Sequence, residues 1–204
     1  MRRSLLLVAV VVALAAAPSR AQFFRNQGVA FSAGWQGLGS TWDAAAGAPL
    51  WNIHDQVTLG AGYFSALGYN LWFDSLVQLG ASTVRISDQA NGEPIFSLGV
   101  SPGIRYNFLE ERFRPFVSAH IHYLQIIPVT AAPAIPRNTF LGSAPFWVGA
   151  RAGLGAEYIF GDEQSFLLEA TMAGFVGANA PPLNGPATFV LPASTARLAY
   201  LVYF

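Results

Sequence analysis

Arg105, Arg151, Glu157, Glu169 and Arg197 are the side chains of this sequence whose types and spacing point most directly to chemistry. A hairpin turn over GDEQS, residues 161–165, brings Phe160 onto Phe166 and thereby sets Glu157 opposite Glu169. Two facing carboxylates repel unless a cation lies between them or one takes up a proton. Such a pair can act as a catalytic acid and base, as the moving part of an ionic gate, or within a structural ion-pair network neutralised by the three arginines. His120 and His122 make a second group. Two apart on a strand they share a face, and with a carboxylate they could ligate a metal. Lacking a third defined ligand, they fit better as polar filler beside Arg105, whose cross-strand partner is expected to be Ser118. Asp74 is a further polar position of the same kind. The chain has no cysteine, which removes thiol catalysis and disulfides from consideration.

The elements that hold these groups are strands. Period-2 alternation bounded by Gly, Pro, Asn and Asp predicts eight of them, over residues 28–38, 56–67, 70–84, 95–108, 115–127, 146–160, 166–176 and 193–204. Short connections such as LEERFR and GDEQS alternate with long ones such as PVTAAPAIPRNTFLGSAP. Within each strand one face is apolar and the other small or polar. Asp74, Arg105, Arg151, Glu157, Glu169 and Arg197 all fall on the small or polar face, where strict alternation alone would put about half of them. Pro102 interrupts an otherwise regular strand, and a bulge is expected there. On this pattern Val148, in the apolar row, should reject arginine, and Gly149, on the other face, should accept serine.

Composition says what kind of sheet this is. Only 11% of residues are charged and 53% are hydrophobic, whereas soluble domains carry roughly 25% charged residues. Yet past the first twenty residues no apolar run is long enough for a spanning helix, which needs about 20. The beginning of the chain, MRRSLLLVAVVVALAAAPSRAQ, has the charged, apolar and small-residue order of a secretory signal peptide. Residues 1–21 are therefore expected to be removed, leaving 22–204 as one domain. Without Arg2, Arg3 and Arg20 that domain has eight basic against eleven acidic residues, a balance unsuited to nucleic acid. An exported, apolar, all-strand chain fits a closed transmembrane barrel: all-β, eight-stranded, antiparallel and up-and-down. Eight staves enclose room for side chains rather than a wide pore. A soluble barrel would put the aromatics inside, and its outer face would then lack the charges that solubility needs.

The strand RPFVSAHIHY after a charged turn, the strand GARAGLGAEYIF before GDEQS, and the terminal YLVYF resemble the small outer-membrane β-barrel superfamily, which includes the OmpA-type transmembrane domain and OmpW-type proteins. The resemblance implies a bacterial outer-membrane location facing lipid and lipopolysaccharide. It also implies that Leu198, Tyr200, Val202 and Phe204 form a closing-strand signal read by the barrel-assembly machinery. Barrel enzymes of similar size, the lipid-A deacylases, carry a His-x-Ser pattern on the lipid-facing side. Here the second position is His122 and both histidines point inward, so no enzyme and no cofactor are expected. The long loops are apolar, with Trp42 and Trp51 in the first and Phe140 in the third. These residues fit an interfacial aromatic belt or a mouth for a small hydrophobic ligand. The functional expectation is an envelope-structural barrel, or one that passes small solutes through or along a mostly plugged lumen. The alternative is a non-conducting binding or adhesion barrel that works through its loops.

Overall fold

The computed structural model describes residues 26–43, 49–86, 92–109, 111–129, 146–178 and 188–204. The segment expected to be cleaved and Phe140 lie outside them, as do the side chains of Trp42 and Trp51. Ten strands are present: β1 (Gln27–Leu38), β2 (Ser40–Asp43), β3 (Pro49–Ile53), β4 (Gln56–Ala66), β5 (Leu71–Ile86), β6 (Glu93–Asn107), β7 (Phe113–Pro128), β8 (Phe146–Ile159), β9 (Gln164–Ala178) and β10 (Thr188–Tyr203). All pairings are antiparallel, and β1 pairs with β10, so the sheet closes on itself.

The barrel has eight staves. β2 carries β1 onward along β10, and β3 carries β4 onward along β5. In each case the register steps by one residue, at Gly39 and at His54–Asp55. The first long connection is thus a hairpin built on the staves, where the sequence suggested only a loop. The short connections from β4 to β5, β6 to β7 and β8 to β9 lie at the opposite end, with Gly28 of β1 and Tyr203 of β10 paired beside them.

Two details differ from expectation. The β8–β9 turn holds three residues, Gly161–Asp162–Glu163, because the amide of Phe160 already bonds to the carbonyl of Gln164 at 3.2 Å. Tyr158 therefore faces Phe166, and the register lies two residues from the expected one. An even slip keeps every side chain on its own face. At Pro102 there is no bulge. The β6–β7 ladder is interrupted at Ser101 and Pro102 and resumes in unchanged register, since proline removes a donor without adding a residue.

Side chains sort by parity on every stave. Phe31, Leu59, Val77, Phe96, Ile121, Leu154, Leu168 and Leu198 are exposed on the outside, one from each stave. Buried inward residues form two apolar layers. At the loop end Leu38, Ile53, Leu124, Trp147, Phe175 and Leu191 pack together. Phe64, Trp72, Phe116, Leu167, Leu201 and Tyr203 do so at the turn end.

Candidate functional site

The lumen is lined by inward polar side chains, and the six charges that the sequence put well inside strands are all buried in it. Arg105, Arg151, Glu157, Glu169 and Arg197 are at most 3% exposed and Asp74 is 6%. They form two nodes. At mid-height Glu169 of β9 accepts from Arg197 Nε at 2.6 Å, Arg151 Nη2 at 3.2 Å and Ser118 Oγ at 2.6 Å. Arg197 reaches on to Asp74 Oδ2 of β5 at 3.2 Å, and Arg151 donates to Gln78 Oε1 of β5 at 3.1 Å. These contacts run from β8 and β10 across to β5, through the centre of the barrel. The mid-height pore is blocked by bonded side chains.

Nearer the turns is the second node. Glu157 of β8 pairs with Arg105 Nη2 at 3.2 Å, accepts from Ser165 Oγ at 2.5 Å, and accepts from the Tyr203 hydroxyl. The Arg105 guanidinium lies among Phe64, Trp72 and Phe116, 5.2–5.9 Å from their ring centroids. Guanidinium over aromatic faces is favourable, increasingly so when water is absent. The two carboxylates therefore do not face each other. Glu157 lies opposite Leu167, and Glu169 opposite Gly155, because the turn is three residues long. Each has its own cation, and the facing acid–base pair suggested by the sequence is not formed.

His120 and His122 both point inward and are buried, but they do different things. His120 Nε2 lies 3.6 Å from Asp74 Oδ2, and Arg151 is its cross-strand neighbour. His122 Nδ1 shares a hydrogen bond with Ser101 Oγ at 2.6 Å, and its ring meets Phe175 edge-on at 5.0 Å. No group of three or more metal-ligating side chains occurs among the described residues. Arg105 lies opposite Ser118, the partner expected for it. Above the histidines, Ser97, Gln56 and Gln36 make a neutral hydrogen-bonded chain at 2.8 Å per link.

Tyr203 and Gln78 belong to these networks without having been singled out in the sequence, and Ser118, expected opposite Arg105, also bonds to Glu169. Parity could have found Tyr203, which shares a face with Arg197. Arg114 is buried opposite Glu157. It escaped notice because β7 starts two residues earlier than alternation suggested. Gly149 also departs from expectation, since a Cβ there would lie 2.9 Å from backbone atoms of Gly174 and Phe175. It has no room for serine. The closing-strand residues Leu198 and Phe204 are exposed outside, and the Phe204 amide bonds to Gln27 O at 3.0 Å.

No protein-family model matches the chain, and no curated protein is similar to it in sequence. Solved structures do match. The outer membrane protein OprG from Pseudomonas aeruginosa superposes with a TM-score of 0.55 at 10% identity, over 88% of this chain and 96% of that one. Neisserial surface protein A gives 0.56 at 11% identity, over 87% and 97%. The outer membrane enzyme PagL matches at 0.36 with 16% identity over 82% and 97%, too loosely to bear on activity. At such identities the likeness is one of fold, and the fold is that of small outer-membrane β-barrels.

Proposed function

We propose that this chain is an integral barrel of a bacterial outer membrane whose lumen is sealed, and that it serves the envelope as a structural element and a carrier of its loops. The observation that carries the reading is the inside-out distribution of side chains. Large apolar groups are exposed on all eight staves while Asp74, Arg105, Arg151, Glu157, Glu169 and Arg197 are buried in ion pairs. Water is a poor solvent for such an outer wall, and hydrocarbon a good one. Aromatic pairs mark both margins of the wall. Tyr123 stacks on Phe146 near the loops, and Phe160, Phe166 and Tyr200 cluster near the turns. Along β8 the outward face from Phe146 to Tyr158 rises about 30 Å at ~3.3 Å per residue and ~40° tilt, close to the hydrocarbon thickness of a bilayer.

The sealed lumen separates the structural role from passage. Two apolar layers and a bonded middle fill the lumen with side chains, which favours a structural barrel with loop-borne binding over passage. Catalysis is disfavoured, because Ser101 and His122, whose side chains share a hydrogen bond, are buried inside the barrel. Planar-bilayer recording tests the reading. Purified barrel should insert without discrete conductance steps, and reproducible steps from the unmodified protein would refute the sealed lumen.

A further inference from the structure

The eight staves are joined by hairpin turns or longer loops everywhere except between β1 and β10, where the two ends of the barrel sequence meet. Closing that seam brings Gly28 onto Tyr203. Its closure entropy is the largest of any pairing in the molecule, because the loop it closes is the whole barrel. The turn-end cluster is built across this same seam. Gly28 carries no side chain, and a Cβ there would lie 2.5 Å from Phe64 Cζ. The Phe64 ring thus passes over β1 and meets the Tyr203 ring edge-on at 4.9 Å. The Tyr203 hydroxyl continues to Glu157, which holds Arg105. One penultimate tyrosine links the last strand to β4 by its ring and to β8 by its hydroxyl.

We propose that Tyr203 is a closure lock: its docking couples pairing of β10 with β1 to the Glu157–Arg105 node, so that Glu157 Oε1 holds its tyrosine donor firmly only in the closed barrel. Before closure the Tyr203 ring lacks the Phe64 and Trp72 rings that hold its hydroxyl on Glu157, and a buried carboxylate short of a donor is costly. The seam is therefore held from within by the Phe64–Tyr203 ring contact over β1, which the charge-assisted bond to Glu157 keeps in place, in addition to its backbone ladder. This role is separate from that of the outward row Leu198, Tyr200, Val202 and Phe204, which lies on the other face of the same strand. It does not depend on what the barrel does in the membrane.

Native-state hydrogen exchange of the refolded protein in micelles, read by mass spectrometry over β1 and β10 and over β8 and β9, tests the lock. Tyr203→Phe keeps the ring and removes the hydroxyl. It should speed exchange across the seam by on the order of tenfold, as expected for one lost bond to a charged group, and leave the centres of β8 and β9 at parent rates. Ser165→Ala removes another donor from the same carboxylate but lies on β9, and should leave seam exchange unchanged. Parent-like seam exchange in Tyr203→Phe, or equal acceleration everywhere, would overturn the proposal. If Tyr203→Phe does not refold, a disulfide between Val29→Cys and Val202→Cys, which face each other across the seam, should restore folding. One between Leu154→Cys and Ala170→Cys, across β8 and β9, should not. Restoration by both or by neither would also overturn the lock.

Discussion

Arg197 shows how much of the lumen depends on single side chains. It is the cation shared by Glu169 and Asp74, and the two carboxylates are not equally provided for without it. Glu169 keeps Arg151 and Ser118, whereas the nearest partner left to Asp74 among the described residues is His120 at 3.6 Å. Arg197→Ala should therefore destabilise the barrel by about 3–5 kcal/mol, the usual cost of breaking a buried charge pair. Asp74→Asn in that background should recover part of the loss, because it removes the charge left least compensated. Urea midpoints in micelles check both, and a single variant as stable as the parent would show that the network contributes nothing. The sequence made this residue easy to find and its partners hard. Parity alone puts Arg197, Glu169 and Asp74 on one side of the sheet. Which carboxylate meets which guanidinium depends on turn length and on distances across the lumen, and alternation carries neither.

At the level of strands, alternation was a sound guide to faces and a poor one to ends and register. The β8–β9 turn is the clearest case. A five-residue and a three-residue turn put the same side chains on the same faces, so no burial pattern distinguishes them. Only the backbone bond from Phe160 to Gln164 does. β10 was expected from residue 193, but it begins at Thr188 because Pro192 lies within the strand. Face assignments lead to a direct prediction. Val148 is 45% exposed on the outer wall, and Val148→Arg should cost about 2–4 kcal/mol if it lies near the bilayer midplane. Equal refolding yield and urea midpoint for variant and parent would contradict the lipid-facing assignment. The β6–β7 ladder offers a second test. Pro102→Val supplies an amide where the ladder is interrupted and should stabilise the barrel by about 0.5–1.5 kcal/mol, the net worth of one hydrogen bond. A lower urea midpoint would mean that the interruption is not a missing bond.

For the molecule as a whole, composition and alternation together were enough to indicate a closed eight-stave barrel. A mostly plugged lumen was expected from the strand number, but its two apolar layers were not legible. Inward positions near the two ends are apolar, as at Trp147, Phe175, Phe64 and Phe116, so the rule of polar-inside fails where the layers form. In sequence these residues look like parts of strands that are apolar on both faces. The closing strand joins the whole: deleting Phe204 should leave export intact and lower the yield of heat-modifiable barrel, and an undiminished yield would count against its place in the assembly signal. The lumen network has one more consequence. Apart from Arg114 at the turn end, three carboxylates, Asp74, Glu157 and Glu169, are matched there by three guanidinium groups, Arg105, Arg151 and Arg197, each within 3.2 Å of an acidic partner. An electric field does work on a displaced net charge, about 2.3 kcal/mol per unit charge per 100 mV. A balanced, interlocked set offers such a field almost nothing to move. Barrels held in a planar bilayer should accordingly stay silent as the applied voltage is swept through either polarity, with no threshold at which they begin to flicker.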